Sequence, residues 1–201
     1  MREGVNFEIL LGKAASLPMV KIDRSEFLSS ALRSHYNSAI IEKAITFNPA
    51  YAGIPVEEIN KIAKDSISYE TVKASALSFA AGIPGGLAMI GTIPADLTQY
   101  YAHILRILQK LIYLYGWQEL GNENGSLDDK TAILFTVFTG VMFGVSGATT
   151  IISKLSGSAM QHAGKVIAKQ TLTKFAFYRI VKKIATSLGV RMTKEIFAKG
   201  V

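Results

Sequence analysis

Apolar residues recur along this chain at spacings of three and four, and no stretch sustains an alternation of polar and apolar residues closed by turn signals. That periodicity predicts helices throughout and no strand ladder. Residues 5–15 form a short apolar helix candidate. Asp23 and Ser25 are N-cap candidates for a helix running to about His35, and Asn37 or Ser38 opens another that ends before Asn48-Pro49. Pro55 suits the first position of a long helix, with Glu57 and Glu58 in its positive first turn. Along it Val56, Ile59, Ile62, Ala63 and Ile67 keep helical spacing. Pro94 starts a further helix to about Tyr115, stopped by Gly116. Residues 121–126 read as a flexible loop, Leu127-Asp128-Asp129 opens the next helix, and two or three basic amphipathic helices follow, broken near Gly157, Gly164 and Gly189. The expectation is a single all-α bundle of about seven to nine helices over residues 1–201.

Two segments carry no charge. Residues 74–95 are interrupted by Pro84-Gly85-Gly86, so no straight helix passes. Each half reaches only about 15 Å, which suits an interfacial or re-entrant element or a bent core hairpin. Residues 131–153 would span about 34 Å as one helix, long enough for a bilayer. Seven of them are Thr or Ser, however, and Gly140-x-x-x-Gly144 serves close helix packing in soluble proteins as well as in membranes. A compact bundle that touches membrane is therefore favoured over a polytopic protein.

Charge sharpens that picture. Hydrophobic residues are 49% of the 201 and charged residues 18%, the latter below the roughly 25% usual in soluble domains. The net charge is +7, but residues 1–150 carry 12 Lys and Arg against 14 Asp and Glu, while residues 151–201 carry 10 against Glu195 alone. Within segment 154–201, Lys165, Lys169, Lys174, Arg179, Lys182 and Lys183 are interleaved with Val166, Ile167, Phe175, Ile180, Val181 and Ile184. This basic amphipathic pattern marks them as candidates for binding anionic lipid or an acidic partner. Nucleic acid is disfavoured, since no helix-turn-helix, zinc-finger or RNA-recognition signature accompanies the charge. The absence of cysteine excludes disulfides and thiolate chemistry, and residues 1–12 lack the basic start and cleavage site of a signal peptide.

The helix over residues 94–115 carries the only concentrated chemistry. At 100° per residue Tyr100, His103 and Lys110 fall within about 40° of Asp96, flanked by Arg106 and Gln99. Leu97, Tyr101, Ile104, Leu105, Leu108, Leu111 and Ile112 lie opposite. The stripe Asp96, Tyr100, His103, Arg106 admits two readings. One is a site with an acid or ligand, a proton carrier and an anion clamp. The other is a polar network between helices. Asp96 and His103 lie about 10 Å apart along the axis, too far to share a metal, and the Glu-x-x-His spacing of helical di-metal bundles is missing. The network is favoured, and no catalytic residue, metal or cofactor is assigned. No Walker loop, dinucleotide fingerprint or nucleophile elbow is present either.

Several motifs in fixed order resemble the bacterial EcsC protein family: Ala81-Gly82-Ile83-Pro84-Gly85-Gly86, then Thr92-Ile93-Pro94-Ala95-Asp96, then His103-Ile104-Leu105-Arg106, then Tyr113-Leu114-Tyr115-Gly116. Gly140-Val141-Met142-Phe143-Gly144-Val145 and Met192-Thr193-Lys194 are also similar. The resemblance covers residues 5–201. It implies a setting near membranes, ABC transporters and secretion, and no established activity. Members usually continue into another glycine-rich apolar hairpin, so truncation at the C-terminus is expected. The resulting expectation is a non-enzymatic accessory protein, cytoplasmic and peripheral at the inner face of the cell membrane, with anionic lipid and a transport or secretion protein as partners. The alternatives are a helical protein with a small-ligand or metal site near Asp96 and His103, or nucleic-acid binding through the basic segment.

Overall fold

The structure is a computed structural model, and it describes residues 7–80, 95–117, 120, 122–123, 126–127, 129–159 and 174–189. Among them are eight helices: α1 (Phe7–Ala15), α2 (Arg24–Leu32), α3 (Ser38–Thr46), α4 (Val56–Ala80), α5 (Ala95–Leu114), α6 (Asp129–Met142), α7 (Ala148–Ala159) and α8 (Lys174–Ser187). The protein is all-α, as the periodicity predicts. The one addition is a small antiparallel hairpin of β1 (Asn122–Glu123) and β2 (Ser126–Leu127), pairing Asn122 with Leu127 and Glu123 with Ser126. Asn122, Glu123 and Ser126 thus pair within the loop expected over residues 121–126, of which 121, 124 and 125 lie outside the described residues. Asn124-Gly125, between the two strands, is a strong sequence signal for a tight hairpin.

The chain divides into two compact units. The first comprises α1, the start of α5 through Tyr101, the hairpin, α6, α7 and α8. The second comprises α2, α3, α4 and the rest of α5 from Ala102.

In the first unit α6 packs against both α7 and α8, and α1 lies against β2. Phe7, Leu10, Tyr101, Phe135, Val137, Ile180 and Ile184 are almost wholly buried. The Tyr101 ring meets Phe7 edge-on, with centroids 5.6 Å apart at 80°. Its hydroxyl lies 3.0 Å from Thr139 Oγ1, so the buried polar tip has a partner. Burial pushes the Tyr101 hydroxyl pKa far above its usual value, only partly opposed by that hydrogen bond.

Residues 131–153 do not form one helix. Gly144 adopts φ +65, the left-handed conformation that an L side chain disfavours, and α6 ends there. Val145 N–H donates to Gly140 C=O at 2.8 Å and Gly144 N–H to Val141 C=O at 3.0 Å, which together close a Schellman turn. Gly147 follows at φ +92 and α7 starts at Ala148. Among the described residues, no helix is long and apolar enough to cross a membrane. Nor does α7 break at Gly157; it runs through to Ala159.

In the second unit the expected caps form. Asp23 accepts from Glu26 N–H at 2.7 Å and Asn37 from Ile40 N–H at 3.1 Å, satisfying orphan donors at the starts of α2 and α3. Helix α2 stops at Leu32, short of His35. Buried Arg24 ties the α3 C-terminus down. Its guanidinium donates to the carbonyls of Ala44 (3.3 Å), Ile45, Phe47 (3.1 Å) and Trp117 (3.1 Å). A cation at the negative end of a helix, binding its last free carbonyls, meets both the dipole and the hydrogen-bond requirement. Helix α5 closes with a second Schellman turn at Gly116, where φ is +93.

Candidate functional site

The polar stripe of α5 converges on a residue of α4 that the sequence did not single out. Early in α4, Ile59, Ile62 and Ala63 are buried, and from Lys64 to Ser75 most residues are exposed. Glu70 is the exception, with no exposed surface at all. It continues the 59, 63, 66 spacing along one helix face, and that register was the available signal.

Three side chains of α5, three and four residues apart on one face, reach the Glu70 carboxylate. His103 Nδ1 lies 2.9 Å from Oε2, Arg106 Nε donates to both oxygens at 3.0 Å, and Lys110 Nζ donates to Oε1 at 2.8 Å. Arg106 also donates from NH1 to the Met19 carbonyl. The Lys110 ammonium sits 5.1 Å from the Tyr69 ring and 5.7 Å from the Phe27 ring, within range of a cation–π attraction. One turn along, Gln109 holds the extended chain beside it, accepting from Ile22 N–H at 3.1 Å and donating to Val20 C=O at 2.8 Å.

Burial by itself would push the Glu70 carboxyl up. Hydrogen bonds from Lys110 and His103, with the positive charges of Arg106 and Lys110, outweigh it, and the pKa lies below the usual value of 4.5. Glu70 is therefore ionised at neutral pH. An ionised carboxylate only accepts, so a hydrogen resides on Nδ1 of His103. Nε2 is buried and has no hydrogen-bond partner among the described residues.

A carboxylate orienting an imidazole is also how general bases and metal ligands are held. Here the same carboxylate is also taken by Arg106 and Lys110. Among the described residues no group of three His, Asp or Glu side chains could hold a metal ion. The arrangement is best suited to fixing α4, α5 and the segment at Met19–Ile22 to one another.

The structure thus brings His103 and Arg106 together, adds Lys110 from the same stripe, and supplies Glu70 as their common partner. Tyr100 is 51% exposed and takes no part in the cluster. Asp96 lies in the first turn of α5, and its side chain is outside the described residues.

The second candidate region is the basic segment. Arg179, Lys182 and Lys183 are exposed on α8, whereas Ile180, Val181, Ile184 and Ala185 are buried. Lys174 begins the helix but its side chain lies outside the described residues, as do Lys165 and Lys169 altogether. Of the apolar half of the expected membrane-surface pattern, Ile180, Val181 and Ile184 are packed inside the protein, on the helix that lies against α6, while Val166, Ile167 and the Phe175 side chain lie outside the described residues.

Comparison with protein-family models, curated proteins and solved structures finds no match.

Proposed function

We propose that this protein is a non-enzymatic accessory protein of the EcsC type, peripherally associated with the cytoplasmic face of the cell membrane and acting beside a transport or secretion system. The observation that carries the reading is the exposed cationic face of α8, in a segment whose formal charge is strongly positive. The EcsC-like motifs supply the setting. The use of His103, Arg106 and Lys110 as an internal tie to Glu70 adds support, because these members of the α5 polar stripe are engaged within the fold. In a co-sedimentation assay the protein pellets with vesicles containing phosphatidylserine and stays in solution with phosphatidylcholine vesicles. Equal indifference to both contradicts the reading. Equally strong retention on duplex DNA favours nucleic-acid binding instead.

One observation favours a second reading, a small-ligand or metal site beside His103. A buried imidazole nitrogen without a partner is uncommon in folded proteins. Stoichiometric metal in the purified protein, lost on His103→Ala, supports that reading.

A further inference from the structure

We infer that the exposed face of α8 docks onto the anionic headgroups of a bilayer by adsorption alone, without inserting into it. The inference rests on the membrane-associated reading above and specifies how the contact is made. Arg179, Lys182 and Lys183 stand at i, i+3 and i+4, so they share one helix face, and all three are exposed. The sequence of α8 contains no Asp or Glu, and none of the three forms an ion pair with a described residue. Like charges at this spacing disfavour the helix that carries them. A surface dense in negative headgroups would relieve that repulsion, and the charge complementarity selects such a surface as the occupant.

The other half of α8 decides the mode. A helix that enters the interface needs its apolar face free to sink among the acyl chains. Among the described residues of α8 that face is spent on the core: Ile180, Val181 and Ile184 are at most 1% exposed. Helix α6 accommodates them by presenting Gly140, where an added Cβ would lie 2.7 Å from Ile180 Cγ2. Among the described side chains of α8, the exposed ones are Arg179, Lys182, Lys183, Thr186 and Ser187, none of them apolar. The attraction of the three cations is Coulombic and decays over about 8 Å at physiological ionic strength. Duplex DNA offers the same phosphate chemistry, but α8 carries none of the groove-reading motifs that would favour it.

The test uses the full chain and three measurements. Co-sedimentation with phosphatidylserine-containing vesicles is run at low and at molar salt. The pressure of a phosphatidylserine monolayer at bilayer packing is followed on injection of the protein. Both are repeated for R179Q/K182Q/K183Q and for K21Q/K61Q/K64Q, which removes the same charge from exposed positions of the second unit. We expect binding at low salt, release at molar salt and no rise in pressure. We also expect a loss of about fivefold per side chain, on the order of a hundredfold for the α8 triple, with little change for the other triple. Binding that survives molar salt with a rise in pressure overturns adsorption and leaves membrane association standing. Equal losses from both triples overturn the assignment to α8. Wild-type protein that binds no vesicle at any salt overturns both the inference and the reading beneath it.

Discussion

Glu70 and His103 meet at 2.9 Å through a carboxylate oxygen and Nδ1, and an ionised carboxylate requires a hydrogen on that nitrogen. Because the same carboxylate also takes Arg106 and Lys110, two permanent cations surround a single buried anion. Removing the anion strands both. Such buried ion pairs add little relative to an apolar replacement of the whole set, yet breaking one by deleting a single partner is costly.

The first prediction follows from the depressed Glu70 pKa. A carboxyl whose folded value lies below its unfolded value of about 4.5 stabilises the fold fully above that pH. The contribution is lost as pH falls through the lower folded value. The gap in urea midpoint between wild type and Glu70→Gln should therefore be constant above about pH 4.5 and close at more acid pH. A gap that widens on acidification contradicts the assignment.

Glu70→Gln at neutral pH should cost about 3 kcal/mol, the lower part of the range for a broken buried pair, since Arg106 and Lys110 keep some solvent contact. In a chain of this size that lowers Tm by roughly 6–12 °C. Lys110→Met in the Glu70→Gln background should cost clearly less than the same change in wild type. Strict additivity in the four-member cycle would mean that the two residues are uncoupled.

Arg24 provides a comparison of chemistry rather than charge. Its guanidinium serves carbonyls of Ala44, Ile45, Phe47 and Trp117 at once, a fork that an ammonium cannot reproduce. Arg24→Lys should destabilise by about 2 kcal/mol despite retaining the charge, and Arg24→Ala by more. Thermal unfolding followed by circular dichroism measures both, and a Lys variant as stable as wild type contradicts the account.

Two glycines should respond with opposite signs. A Cβ at Gly140 would stand 2.7 Å from Ile180 Cγ2 and 3.3 Å from Ala148 Cβ, so Gly140→Ala should cost about 1–3 kcal/mol through overpacking. Nothing lies within 4 Å of a Cβ at Gly12, which is inside α1, and Gly12→Ala should stabilise by about 0.4–1 kcal/mol. Urea unfolding of the two variants reads both signs.

Much of this was legible in the sequence, because it depends on neighbours along the chain. Asp23 and Asn37 cap where short polar side chains precede apolar periodicity, and Gly116 ends α5 at the expected residue. The 100° rule grouped His103 with Lys110 and set Arg106 beside them. Their partner was harder to read: the 59, 63, 66 register carries Glu70 onto the buried face of α4, but Glu70 lies 33 residues from His103 and nothing local pairs the two. The break inside residues 131–153 was missed for a different reason. Gly140 and Gly144 read as a single close-packing motif, whereas the first admits Ile180 and the second turns the chain.

The claim that most needs testing is that the α5 stripe holds the fold rather than serving a ligand. Removing one member of a buried hydrogen-bonded set costs about 1–3 kcal/mol, while groups kept for function are often held at some cost to stability. Thermal melting of His103→Ala and Arg106→Ala, with metal analysis of the wild type, separates the two. The account predicts a clear fall in Tm for both variants and no stoichiometric metal. Unchanged or raised melting temperatures together with one bound metal per chain would contradict it.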